Sequence, residues 1–155
     1  MLLVTTIGTS KQESISCVLV AKMQSGLDRA YYSPSGDYIG MPALSQFDTT
    51  DTYYSTLFHE LTHWTGTDNR CNREIGRRFG DKQYAIEELV AELSAIFHCL
   101  HLGVIAYPKE ESAKYLNSWL RTLNEDSKLV FNASSLAQKA MDYTVSLQEE
   151  AEQVA

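Results

Sequence analysis

Phe58-His59-Glu60-Leu61-Thr62-His63-Trp64 is an H-E-x-x-H stretch, and its reading decides how the rest of the chain is arranged. On a helix, residues four apart stack one turn apart on one face, with β-carbons roughly 5–6 Å from each other. His59 and His63 at that spacing can fill two corners of a zinc tetrahedron, while the Glu60 carboxylate can reach an activated water instead of the metal. A chance match is rare for a composition with so few histidines, on the order of one in a hundred.

The context is helical. Tyr54, Leu57, Phe58, Leu61 and Trp64 recur at i, i+3, i+4, i+7 spacing, which predicts a helix from about Asp51 to Thr65. Asp48, Thr49, Thr50 and Asp51 supply N-cap candidates and acidic charge at the positive end of the helix dipole, and Gly66 supplies a stop.

A hydrolytic zinc site takes three protein ligands and keeps one position for water. No histidine stands at 69, which is Asn69, so the third ligand must come from elsewhere. A second predicted helix, about Asp81 to Leu102, carries Glu87, Glu88 and Glu92, with Ile86, Leu89, Val90, Leu93, Ile96 and Phe97 as its expected apolar face. Glu88 and Glu92 share a face at i, i+4 among apolar residues, a costly placement unless positive charge lies nearby. Glu88 is assigned as third ligand and Glu92 as the group that orients a ligand histidine through its free ring N–H, with the swapped assignment left open. Glu87 is expected to face solvent. His98 and His101 are read as complementing the C-terminal dipole of this helix, and Cys99 as a packing residue. Tyr31, Tyr32, Tyr84 and Tyr143 are candidates for stabilising an oxyanion, with nothing in their spacing to choose among them.

Working outward, Arg29–Ser33 and Asp37–Met41 flank Pro34-Ser35-Gly36 and predict a β-hairpin, ended by Pro42. Ser16–Lys22 is a short apolar piece. The connection 67–83 carries Arg70, Arg73, Arg77 and Arg78, read as a solvated loop paired with nearby acids. Pro108 is expected to open a third helix, with Tyr115, Trp119 and Leu120 or Leu123 towards the core. A fourth spans about Leu129 to Gln148. The fold class is α+β: a small mixed sheet with a hairpin edge, then about four helices. Residues 1–24 read as an arm or linker remnant, 25–148 as the domain and 149–155 as an acidic tail.

Thirteen basic and twenty acidic residues leave a net charge of −7, which argues against a nucleic-acid partner for this chain alone. No apolar run approaches the roughly 18 residues of a membrane span. Three cysteines without C-x-x-C spacing point to free thiols and a cytoplasmic location.

The run from Arg29 to Pro42, Tyr54–Gly66, Gly80-Asp81 before Tyr84–Leu93, Tyr115–Trp119 and Ala137-Gln138 together resemble the zincin-like metallopeptidase domain of ArdC-type antirestriction proteins, found also in plasmid primases and phage polyvalent proteins. The resemblance covers roughly residues 25–147. It implies a zincin-like fold and one divalent metal ion, zinc or a substitute, on His59, His63 and a second-helix glutamate, with Glu60 catalytic. In zincins of this kind an acidic residue four positions after the glutamate ligand has the supporting part, which fits Glu92. Thr67-Asp68-Asn69-Arg70 departs from the family's expected His-Pro-Ser-Arg at the rim. Two functions follow as expectations. One is a zinc metallopeptidase acting on a protein or peptide, with Glu60 as general base. The other is a non-catalytic metal-binding module that inhibits a host restriction or defence protein by association.

Overall fold

The computed structural model describes residues 3–8, 14–19, 21–76, 82–108 and 116–154. In order they form β1 (Leu3–Gly8), β2 (Ser14–Leu19), β3 (Lys22–Ser25), β4 (Tyr31–Ser33), β5 (Tyr38–Met41), a 3-10 turn at Leu44–Gln46, then α1 (Thr50–Thr65), α2 (Lys82–Leu102), α3 (Leu116–Glu125) and α4 (Leu129–Val154). This is the α+β class expected, with a small mixed sheet preceding the helices.

β1 and β2 pair antiparallel from Leu3↔Leu19 to Gly8↔Ser14. The segment 1–24 read as an arm thus carries two strands and most of a third in its described parts. Its periodicity is weak, but β-branched Val4, Thr5, Thr6 and Ile7 carry the strand preference.

The second sheet has the order β3-β5-β4. The expected hairpin is present, with Tyr31↔Gly40 and Ser33↔Tyr38 in register. Asp37 takes φ +48 in the turn, a left-handed conformation that Asp tolerates, and its carboxylate accepts the Tyr32 hydroxyl at 3.0 Å. Gly40 lets Leu27 and Tyr31 pack closely on β5, since a β-carbon there would lie 2.7 Å from Leu27 Cδ1 and 2.9 Å from Tyr31 Cε1. β3 lies parallel to β5 on its other side, after which the Leu27 N–H donates to the Met41 carbonyl at 3.1 Å. β5 is therefore the central strand, and Tyr38–Met41 offers no open edge; the edges are β3 and β4. Ser16–Lys22 is not one unit: β2 ends at Leu19 and β3 begins at Lys22.

Thr49 caps α1, its Oγ1 accepting the Thr52 N–H at 3.1 Å. Tyr54, Leu57, Phe58, Leu61 and Trp64 are all buried, and they pack with Ile39, Met41, Ala95 and Cys99. Full burial of such a side chain contributes roughly 1.5–3 kcal/mol, so this core holds α1 between the sheet and α2.

α2 buries two faces: of the expected apolar one, Leu89, Val90, Leu93 and Phe97 pack in the cluster with α4, and a second, small and acidic face turns towards α1. Glu87, Glu88, Ala91, Glu92, Ala95 and Cys99 are buried, whereas Ile96 and Leu100 are exposed. Ala95 and Cys99 join the core around α1, while Val90 packs on Ala133 and Ala137 of α4. A helix between two neighbours uses small side chains, here Ala95 and Cys99, where one of them approaches closely, and larger ones on its other side.

The described part of α3 begins at Leu116, not at Pro108, and residues 109–115 with Tyr115 lie outside the described residues. Trp119 donates its indole N–H to the Ala85 carbonyl, tying α3 to α2, but Leu120 is exposed instead of reaching the core. α4 continues through Val154, so the acidic stretch from Glu149 is helical.

Candidate metal centre

α1 and α2 bring His59, His63 and Glu88 to one point. His59 Nε2 and His63 Nε2 are 3.1 Å apart, and Glu88 places Oε2 at 3.4 Å from the first and Oε1 at 3.4 Å from the second. Atoms bound at about 2.0–2.1 Å to a tetrahedral ion lie about 3.3–3.4 Å from one another, so these separations suit a divalent cation with little rearrangement. Two ring nitrogens facing at 3.1 Å also need a proton or a cation between them, since their lone pairs repel. Two imidazoles and a carboxylate are a donor set that zinc and other first-row divalent ions accept.

The far nitrogen of each ring meets a different carboxylate. Glu92 Oε1 lies 3.0 Å from His59 Nδ1. Among the described residues Nδ1 has no aligned hydrogen-bond partner, and Glu92 raises the His59 pKa. Glu87 Oε1 lies 3.3 Å from His63 Nδ1. Glu87 is only 3% exposed, contrary to the expectation that it faces solvent, because α2 comes close enough to α1 to enclose it. Arg73 holds it with two bonds, Nε to Oε2 at 3.0 Å and Nη2 to Oε1 at 2.8 Å.

Glu60 is buried on α1, and its charge acts on both imidazoles. The His59 side chain is 1% exposed against 14% for His63 and 10% for Glu88, so the site faces solvent on the side of the latter two.

Burial disfavours charge on His63, yet Glu87 and Glu88 push its pKa up to about 10. His59 moves up against the same burial, under Glu88 and Glu92. Burial would raise the Glu88 carboxyl, but the two imidazoliums hold it well below the usual range. Protons therefore balance the carboxylates in the metal-free protein, in the place a cation would take.

Other candidates lie elsewhere. Tyr31 and Tyr32 engage Tyr38 and Asp37, and Tyr143 packs against Trp64 in the core. His98 is buried, not a surface complement to the dipole. It stacks on Phe58 at 5.1 Å between the Ser94 carbonyl and the Thr144 hydroxyl. Burial pushes the Cys99 thiol up to about 11, in keeping with a packing role.

In the divergent loop, Arg70 lies 3.7 Å over the Trp64 ring. It donates to the Trp64 carbonyl at 2.9 Å and to Asp37 at 2.6 Å, fastening the hairpin turn to the end of α1. Arg70 and Arg73 are thus paired with acids, the latter in the interior; Arg77 and Arg78 lie outside the described residues. Thr56, one turn before Glu60, lines a cavity of about 330 Å³, and Arg73 lines another of about 940 Å³ beyond the end of α1.

Sequence gave little warning of Glu87 and Arg73. The available signal was small residues, Ala91 and Ser94, four and seven positions after Glu87, which mark a close helix approach.

The chain is similar to several known proteins. The chain is 39% identical over 122 residues to the DNA primase TraC of Escherichia coli, a match covering 79% of this chain and 11% of that protein. It is 33% identical over 142 residues to y4eC of Sinorhizobium fredii (strain NBRC 101917 / NGR234), covering 92% and 46%. It therefore spans less than half the length of these relatives. The antirestriction protein ArdC from plasmid R388 is similar in fold, with a TM-score of 0.74 to its Mn(II)-bound crystal structure at 32% identity over 94% of this chain and 68% of that one. Its metal-free structure gives 0.74 at 43% identity, over 84% and 47%. Residues 10–136 match the zincin-like metallopeptidase model, and the chain belongs to that family.

Proposed function

We propose that this domain is a divalent-metal-dependent peptidase serving a plasmid or phage antirestriction system. The convergence of His59 Nε2, His63 Nε2 and a Glu88 oxygen within 3.1–3.4 Å, beside buried Glu60, carries the reading. A divalent ion there supplies a Lewis acid that acidifies water towards a pKa of roughly 7 and polarises a carbonyl. His59, His63 and Glu88 hold it, and Glu92 and Glu87 orient the two rings. Glu60 accepts the proton of the attacking water and passes it to the leaving amine. An extended substrate aligns along the edge strand β4. Zinc suits two nitrogens and one carboxylate; the Mn(II) carried by the R388 ArdC structure makes manganese its competitor. The substrate is a protein or peptide of the host restriction or defence apparatus, met in the cytoplasm.

The test is cleavage of a denatured-protein or peptide library by the metal-loaded chain. Glu60→Gln is expected to lose roughly 10²–10⁴-fold in rate, and chelation to abolish cleavage. Equal cleavage by Glu60→Gln would sink the mechanism.

The similarity to an antirestriction protein favours a second reading, a metal-stabilised module that blocks a host enzyme by binding it. Under that reading Glu60→Gln protects DNA from restriction as well as the parent chain does.

A further inference from the structure

Arg73 is anchored on both sides of His63. Its Nη1 donates to Thr65 Oγ1 at 2.8 Å and its Nη2 to the Thr62 carbonyl at 2.6 Å, both groups of α1. From there it holds Glu87 of α2 through two bonds, and the same Glu87 oxygen that accepts Nη2 lies 3.3 Å from His63 Nδ1. The chain makes room for this arrangement. Asn72 adopts φ +48 just before Arg73, and Gly66 has φ −74, so it is not needed for a left-handed turn. A β-carbon at Gly66 would lie 3.0 Å from Arg73 Nη2 and 2.7 Å from Ile75 Cδ1, so glycine is there for space.

Resting on the metal-site reading, we infer that Arg73 and Glu87 are positioning residues for the metal: together they fix the ring and tautomer of His63, and Arg73 keeps Glu87 from becoming a ligand. A carboxylate on Nδ1 selects the Nδ1–H tautomer and leaves Nε2 as the free donor, facing His59 and Glu88. Glu60, Glu88 and Glu92 already offer three carboxylates around one divalent charge. An unrestrained fourth, next to Glu88 on the same helix, would compete for the ion; the guanidinium neutralises it and occupies both its oxygens.

A buried ion pair that only held α1 to α2 would affect folding and leave the metal alone. The test therefore reads both. Zn²⁺ affinity is measured by competition with a chromogenic chelator, the visible spectrum of the Co²⁺-loaded chain is recorded, and melting is followed in excess chelator. Glu87→Ala is expected to weaken Zn²⁺ binding roughly 10–100-fold and to change the Co²⁺ spectrum. Arg73→Met/Glu87→Met removes both charges together, a change that buried pairs often tolerate, and should lose metal affinity at near-parent melting in chelator. Glu87→Gln, which keeps the shape and an acceptor, should show a smaller loss with an altered spectrum, and it carries the test if the other variants do not fold. Parent-like affinity and spectrum in folded Glu87→Gln or Glu87→Ala overturns the inference. A parent chain that takes up neither Zn²⁺ nor Co²⁺ overturns the metal reading itself, a distinct result.

Discussion

Two histidine environments meet neighbouring residues of α1 where it packs on α2, and their pKa values shift in opposite directions. His59 and Phe58 are consecutive on α1; His59 meets Glu88 and Glu92, whereas Phe58 stacks on His98. Burial pushes both imidazoles towards neutrality. Around His59 and His63 the carboxylates overcome it, and His63 reaches about 10. Among the described residues the His98 ring nitrogens meet the uncharged Ser94 carbonyl and Thr144 hydroxyl, and burial, with a smaller push from His101, takes it down to about 4. A neutral ring satisfies them, with Nδ1–H donating to the Ser94 carbonyl at 2.7 Å. The Thr144 hydroxyl, also 2.8 Å from the Met141 carbonyl, can turn towards Nε2 at 2.7 Å. Burial alone does not make a histidine a ligand; the charge of its partners does.

Substitution breaks this comparison most sharply. His59→Ala is expected to abolish stoichiometric metal uptake by elemental analysis, while His98→Ala should bind metal as the parent chain does. The latter instead loses roughly 2–4 kcal/mol of stability in urea unfolding, from the cavity and the polar partners left unpaired. Metal loss in His98→Ala with the fold intact would erase the distinction.

Acid should expose His98 next. Its folded pKa lies below the ordinary value near 6.5, so its contribution is fully present above about pH 6.5 and is lost as pH falls towards 4. By pH 5 the loss is ~2 kcal/mol, and His98→Gln should flatten that part of the parent's stability curve for the metal-free chain.

His63 behaves oppositely. Raised to about 10, it remains protonated at pH 8 in the metal-free chain, where an ordinary histidine has no proton to give. Zn²⁺ uptake at pH 8 should release at least one proton, seen as a calorimetric enthalpy that varies with the ionisation enthalpy of the buffer. A buffer-independent enthalpy would mean the carboxylates do not hold that proton.

The smallest expected effect serves as a control. Thr49→Ala removes the cap at the far end of α1 and should cost about 1 kcal/mol, with Zn²⁺ affinity unchanged.

Residue order alone specifies the local and periodic features of this chain. The i, i+4 spacing of His59 and His63, the matching spacing of Glu88 and Glu92, the apolar stripe of α1 and the Pro34–Asp37 turn each depend on geometry within one element, which residue order specifies. How the elements meet depends on contacts between residues far apart in the chain. Arg73 reaches Glu87 across 14 positions and His98 reaches Thr144 across 46, while β3 takes the far side of β5 and α2 turns its small, acidic face inward. Periodicity on α2 favoured Ile96 because it counts apolar residues without knowing how closely a neighbour approaches. Close packing against α1 and α4 instead selects small side chains, and it makes an interior position out of Glu87 once Arg73 is there to neutralise it.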